Sequence, residues 1–135
     1  MKSILIKLTE VIILALTSCK NNPTRITNKY QNYITQQKLV PIKKIKQFTF
    51  RGWNSLDAEH FILSATQNKP YLIELYSYCN DLDFSASIRL NQTNDSILSS
   101  NFDSISIPNQ SFQDKCRIKN IYSLSKQQVN EINSL

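Results

Sequence analysis

Residues 61–76 read FILSATQNKPYLIELY, two apolar runs separated by Gln67-Asn68-Lys69-Pro70. That polar group is turn chemistry, since Asn tolerates a left-handed backbone and Pro fixes its own φ while donating nothing to a ladder. Both runs have the length and the aromatic and β-branched content of strands, so residues 61–66 and 71–76 are predicted to form an antiparallel hairpin. Tyr71, Ile73 and Leu75 share one face of the second strand, because side chains alternate across a pleated backbone.

Upstream, KIKQFTFRGW at residues 44–53 sets Phe48 and Phe50 on one parity and Gln47, Thr49 and Arg51 on the other, the period of a half-buried strand. Gly52 is the only glycine in the chain, and a bulge or sharp bend is expected there. Downstream, a polar turn after Cys79 leads to an apolar piece at residues 88–90 and a loop at 91–95. Strands are expected at residues 104–107, where Ile105 and Ile107 alternate with serines, and at 116–124, where Cys116, Ile118, Ile121 and Leu124 are the apolar positions. Pro108-Asn109-Gln110 separates those two. Ser125 and Gln128 have the spacing of a capping box, which opens a terminal helix burying Val129 and Ile132. The fold expected is mainly β, with α+β the alternative: a small antiparallel β roll or partly closed barrel with a short C-terminal helix and one disulfide.

The N-terminus, MKSILIKLTEVIILALTSC, has the layout of a lipoprotein signal: Lys2 and Lys7, a short apolar run at residues 11–16, then Leu16-Thr17-Ser18-Cys19. A membrane-spanning helix would need about 20 consecutive apolar residues, and Glu10 interrupts a run already shorter than that. Residues 1–18 are therefore expected to be a signal peptide and Cys19 the lipidated first residue of the mature protein. Residues 19–40 are polar and form a tether, in which Ile26, Tyr30, Tyr33, Ile34 and Leu39 recur near helical spacing. Such a helix would pack on the domain or lie on the membrane. Residues 41–135 are the single domain. Lys20 stands where an aspartate would signal inner-membrane retention, so the location expected is the cell envelope, at the periplasmic face of the outer membrane.

Loss of residues 1–18 lowers the formal charge only from +6 to +5. A basic surface outside the cytoplasm would meet anionic lipid headgroups or cell-wall polymers, not nucleic acid. The partner expected is thus the membrane, through the lipid on Cys19, with an anionic envelope component or envelope protein a further candidate; because Lys far outnumbers Arg, the plainer reading of the charge is a solvated lysine surface. With Cys19 lipidated, Cys79 and Cys116 remain as a pair in an oxidising compartment, where a disulfide is expected. There is no C-x-x-C and His60 is the only histidine, so no metal site and no cofactor are expected.

Phe50-Arg51-Gly52-Trp53, Leu56-Asp57, His60, Tyr71-Leu72-Ile73, Leu75, Cys79, Asp81-Leu82, Phe84 and Ile88 follow one another in order. Phe102-Asp103-Ser104-Ile105 and Cys116-Arg117-Ile118 complete the string. This pattern resembles a family of small secreted or lipid-anchored proteobacterial proteins, domain of unknown function family 6491. The resemblance covers approximately residues 42–124 and implies an exported protein with paired cysteines and no assigned activity. Scarcity of glycine sets this chain apart, with Asn101 standing before Phe102-Asp103 where a glycine would be expected.

Asp57, Glu59 and His60, beside Arg51 and Trp53, are the candidates for chemistry: a carboxylate next to an imidazole is how a general base is oriented. No nucleophile accompanies them, because both domain cysteines are expected to be oxidised and no serine lies in a G-x-S-x-G elbow. The structural reading makes Asp57 an Asx turn, His60 a hydrogen-bonding residue at a strand entrance and Trp53 a core side chain. Arg51, Trp53 and Tyr76 are the candidate binding surface. A non-enzymatic envelope binding or interaction module is the function expected, ahead of a hydrolase-like or metal-dependent enzyme centred on Asp57 and His60.

Overall fold

The hairpin predicted from residues 61–76 forms. In the computed structural model, which describes residues 28–108 and 115–135, β4 (His60–Ser64) pairs antiparallel with β5 (Pro70–Leu75), from His60 opposite Glu74 to Ser64 opposite Pro70. Gln67 and Asn68 both adopt left-handed φ, 60° and 57°, in the connecting turn, the conformation an Asn accepts at low cost. Around this hairpin the chain runs α1 (Lys29–Gln36), β1 (Pro41–Ile42), β2 (Lys44–Lys46), β3 (Gly52–Ser55), β4, β5, β6 (Arg89–Asn91), β7 (Ile97–Ser99), β8 (Ser104–Ser106), β9 (Cys116–Ser123) and α2 (Lys126–Asn133).

The main sheet is antiparallel in the order β3-β4-β5-β9-β8-β6 and curls into a half-barrel. Its longest strand, β9, has β5 along one edge, while β8 and β1 share the other edge at Cys116–Arg117 and Ile121–Tyr122. A separate ribbon of β2 and β7 sends Ile45 and Leu98 into the core on the concave face, with Phe61, Leu63, Tyr71, Ile73, Leu75, Ile105, Ile118 and Ile121. Alternate residues, Ile62, Leu72 and Tyr122, point the other way and meet Tyr30, Tyr33 and Ile34 of α1 and Ile132 of α2. Apolar side chains on both parities of β4 and β5 thus have cover on both faces. At about 25 cal/mol per Å² this two-sided burial is the main stabilising term.

Disulfide and cap are where the sequence places them. Cys79 and Cys116 are joined, with Cα atoms 5.7 Å apart. Ser125 accepts from the Gln128 N–H while the Gln128 side chain takes the Ser125 N–H, completing the capping box of α2. Of the two readings of the amphipathic stretch before residue 41, the structure shows packing on the domain, with Tyr30, Tyr33 and Ile34 buried. The Tyr33 hydroxyl donates to Glu131 Oε2 at 2.5 Å and ties α1 to α2. Burial, and then the Glu131 carboxylate, push that phenol up to about 12.

Two expectations are corrected. The strand predicted through Phe48 and Phe50 ends at Lys46, because Gln47 turns left-handed (φ 51°). The Thr66 hydroxyl donates to the Gln47 carbonyl at 2.6 Å and accepts from the Thr49 N–H at 2.9 Å, replacing ladder bonds there. Phe48 is buried and Phe50 is 40% exposed. Gly52 is no bend: it opens β3 opposite Ser64, its φ is not positive, and a Cβ there would meet nothing within 4 Å. Cys19, the signal and tether up to residue 27, and the turn residues Asn109 and Gln110 lie outside the described residues.

Register gives the sheet two distinct ends. One, called upper here, collects the β3–β4 turn at 56–59, the segment following β5, and the start of β9. The lower end collects the β4–β5 turn, residues 47–51 and the passage from β9 into α2.

Candidate functional site

His60 opens β4 at the upper end and is completely buried. Its Nδ1 lies 2.9 Å from Asp57 Oδ1 and its Nε2 lies 2.9 Å from Gln31 Nε2 on α1. The amide nitrogen of Gln31 can only donate, so Nε2 accepts and Nδ1–H donates to Asp57. The Tyr30 ring lies 5.6 Å from the imidazole, centroid to centroid, and closes it in.

Asp57 is the hub of this cluster. Oδ1 also accepts from the Glu59 N–H at 2.8 Å, which is the Asx turn expected of it, and Oδ2 accepts from Asn28 Nδ2 at 2.7 Å. Asn28 is at the same time the N-cap of α1, its Oδ1 accepting from the Tyr30 and Gln31 N–H groups. The carboxyl of Asp57 feels opposing effects. Partial burial pushes its pKa up, but hydrogen bonds from His60, Asn28 and the Glu59 N–H outweigh that and pull it down to about 2. A shallow depression beside it is lined by Asn28, Asp57, Ala58, Glu59, Tyr78 and Asp83, and His60 does not reach it.

This constellation holds α1 to the sheet. A general base needs a nitrogen within reach of a bound molecule, and both His60 nitrogens are taken by protein side chains. Its partners are both side chains, Gln31 of α1 and Asp57 of the β3–β4 turn. No group of three or more His, Cys, Asp or Glu is placed to hold a metal among the described residues.

With that geometry in hand, comparison with known proteins gives one match. The model of a family of unknown function, DUF6491, matches residues 1–134. The chain belongs to the DUF6491 family. No curated protein and no solved structure matches it.

The three surface candidates of this DUF6491 protein do not form one patch. Arg51 is exposed at the lower end, where its N–H donates to the Ser64 carbonyl. Trp53 is half-buried and packs edge-on against Phe61 at 6.1 Å. Tyr76 is 51% exposed at the upper end; its hydroxyl donates to Asn101 Oδ1 and the Arg117 guanidinium lies over its ring at 6.0 Å.

Other polar residues of this DUF6491 protein matter more than the sequence reading suggested. Asp103 is fully buried and accepts from the Ser99 N–H at 2.6 Å and the Thr93 N–H at 3.0 Å, fixing the loops on either side of β7. Buried Glu74 accepts from the Tyr122 hydroxyl at 3.3 Å and pairs with Lys119 at 3.4 Å. Burial and that carboxylate push the Tyr122 phenol up to about 12. Asn28 had a legible signal, an N-cap residue type directly before a helical period, whereas Gln31 had none.

The lower end carries a surplus of exposed cations, while the upper end mixes both signs. Lys38, Lys46, Arg51, Lys69 and Lys126 are exposed toward the lower end, and Lys46 and Lys69 flank a small depression with Thr66 and Gln67. Among the described residues none of the five has a carboxylate within 4.0 Å. Asp57, Glu59, Asp81 and Asp83 all lie toward the upper end.

Proposed function

We propose that this protein is a lipid-anchored module of the bacterial envelope that binds rather than catalyses, and that its lower end takes an anionic envelope component. The observation that carries the reading is a surplus of cations at the lower end: Lys38, Lys46, Arg51, Lys69 and Lys126 are exposed there with no carboxylate within 4.0 Å among the described residues, whereas cations and carboxylates are interspersed at the upper end. Such a distribution makes a field that attracts polyanions and orients them. The enclosure of His60 supports a binding role over a catalytic one. The signal and cysteine at residues 1–19 support anchoring in the envelope.

Two experiments test it. Intact mass of the protein from the native membrane fraction should correspond to a chain beginning at triacylated Cys19, with two thiols released only on reduction; an unprocessed mass would overturn the anchor. Inorganic polyphosphate serves as the probe of the lower end, with neutral dextran as control. Each cation near an anionic surface contributes about 1 kcal/mol, so K46Q/R51Q/K69Q should bind polyphosphate at least ~10-fold more weakly, and added salt should do the same to the parent. Equal binding by the triple variant would overturn the assignment of the lower end.

A further inference from the structure

We infer that the upper end of the sheet rests on the bilayer that carries the Cys19 lipid, with Phe84, Tyr78, Tyr76 and Phe102 in its headgroup layer. The inference rests on the anchored reading above and adds an orientation and a membrane-contacting surface to it.

Exposed aromatic residues are distributed unevenly in this structure. Phe84 is 88% exposed, Phe102 79%, Tyr78 65% and Tyr76 51%, and all four belong to the upper end. Ser55, the last residue of β3, bonds to the Asp83 carbonyl and so places Phe84 beside that edge strand. Tyr78 lines the depression next to Asn28 and Asp57. The Tyr76 N–H donates to the Arg117 carbonyl at the start of β9, and Phe102 follows Asn101, whose N–H bonds to the Ile118 carbonyl. The four rings therefore run from the β3 edge across to the far side of β9. Phe50, at 40%, is the other exposed aromatic among the described residues, and it lies at the lower end. A large side chain open to water is ordinary when single, whereas a row of them along one end marks a surface that is covered in use.

Position of the tether selects the bilayer as the cover. Asn28 bonds to Asp57 and lines the same depression as Tyr78, so the chain from Cys19 enters the domain at the aromatic end. Cys19 and Asn28 are nine Cα steps apart, a span of at most about 30 Å when fully extended. The upper end spans three strand spacings from β3 to β9, about 15 Å, so all of it lies within reach of the anchored membrane. An inverted domain would spend some 20 Å of that reach climbing the six residues of β5.

Chemistry fits the same surface. Tyrosine and phenylalanine rings favour the boundary between headgroups and acyl chains, where Tyr also keeps its hydroxyl wet. Lys29, Lys43, Lys44, Lys115 and Arg117 at this end are largely offset by Asp57, Glu59, Asp81 and Asp83, so the contact depends chiefly on the rings, with a modest sensitivity to salt from Lys43 and Lys44 beside Phe102. This orientation turns the basic lower end away from the lipid, toward a soluble polyanion.

The natural tryptophan provides the control, because Trp53 lies near Arg51 toward the lower end. The lipidated full protein would be reconstituted into vesicles of phosphatidylcholine and phosphatidylglycerol with brominated acyl chains, which quench nearby indoles. The indoles introduced by F84W and F102W, each in a W53F background, should lose most of their emission, while Trp53 in the parent keeps its own. Should W53F not fold, F84W and F102W in the native background report the same added, quenchable emission. A lipidated protein in which Trp53 alone is quenched, or none of the three, overturns the orientation and leaves the anchored reading intact. A mature chain without acylation overturns both.

Discussion

Replacing Asp57 with alanine should destabilise the domain far more than a turn residue with a quarter of its side chain exposed would suggest. Three donors lose their acceptor: His60 Nδ1 at 2.9 Å, Asn28 Nδ2 at 2.7 Å and the Glu59 N–H at 2.8 Å. Bonds to a charged acceptor are typically worth about 1.5–3 kcal/mol each, but two of these donors lie near the surface and regain water. The buried Nδ1–H cannot, and an orphaned buried donor alone costs about 1–3 kcal/mol. The loss expected is therefore about 3–4 kcal/mol, a large share of the 5–15 kcal/mol typical of a domain, and a fall in Tm of roughly 10–15 °C. Asn28→Ala removes the cap and one of the three bonds and should cost about 2 kcal/mol. Urea unfolding of the oxidised protein, followed by Trp53 emission and far-ultraviolet circular dichroism, measures both. A loss below about 1 kcal/mol for D57A would refute the reasoning, because the cluster would then not be holding α1.

Other outcomes follow from the same structure. C79A/C116A opens a loop with a sequence separation of 37 and should cost about 4 kcal/mol in the chain-entropy model, read as a lower urea midpoint. The folded-state pKa of Asp57 lies at about 2, below its ordinary 3.8, so its contribution is fully present above about pH 4 and is lost as pH falls through about 2. After discounting for solvent screening at a partly exposed group this amounts to about 1–2 kcal/mol, and D57N should flatten that limb of an acid titration. Gly52→Ala should be neutral or stabilise by up to about 1 kcal/mol, since backbone and space both accept a Cβ there; a loss above 1 kcal/mol in the same urea assay would contradict it.

What the sequence made legible was what short-range chemistry governs. The turn at residues 67–70, the alternation of Tyr71, Ile73 and Leu75, and the Ser125–Gln128 box act within a few residues of themselves, and each forms where its pattern lies. Phe48 and Phe50 misled because the bond that ends their strand comes from Thr66, a partner in the next turn but one. Gly52 misled by being solitary: scarcity of a residue type measures composition, whereas only backbone angle and close neighbours measure need. The Asp57–His60 pairing was visible at a spacing of three residues, but its meaning was set by Gln31 and Asn28, 29 residues upstream. Exposure of Tyr78, Phe84 and Phe102 was not legible, since a single aromatic within a polar turn reads equally well as core.

The Asn28–Asp57 bond also sets a length. While it and the Gln31–His60 contact hold, a pull on Cys19 acts across the nine Cα steps from Cys19 to Asn28, and force enters the domain at the first turn of a helix clamped to a strand. If the clamp opens and α1 peels away, eight more residues join the span. Its limit then rises from about 30 Å to nearly 60 Å, with the sheet and its disulfide untouched behind it. On the proposed anchorage at Cys19, the cluster around His60 is thus a length stop in series with the lipid, and its strength would decide how far from the membrane the rest of the protein can be drawn.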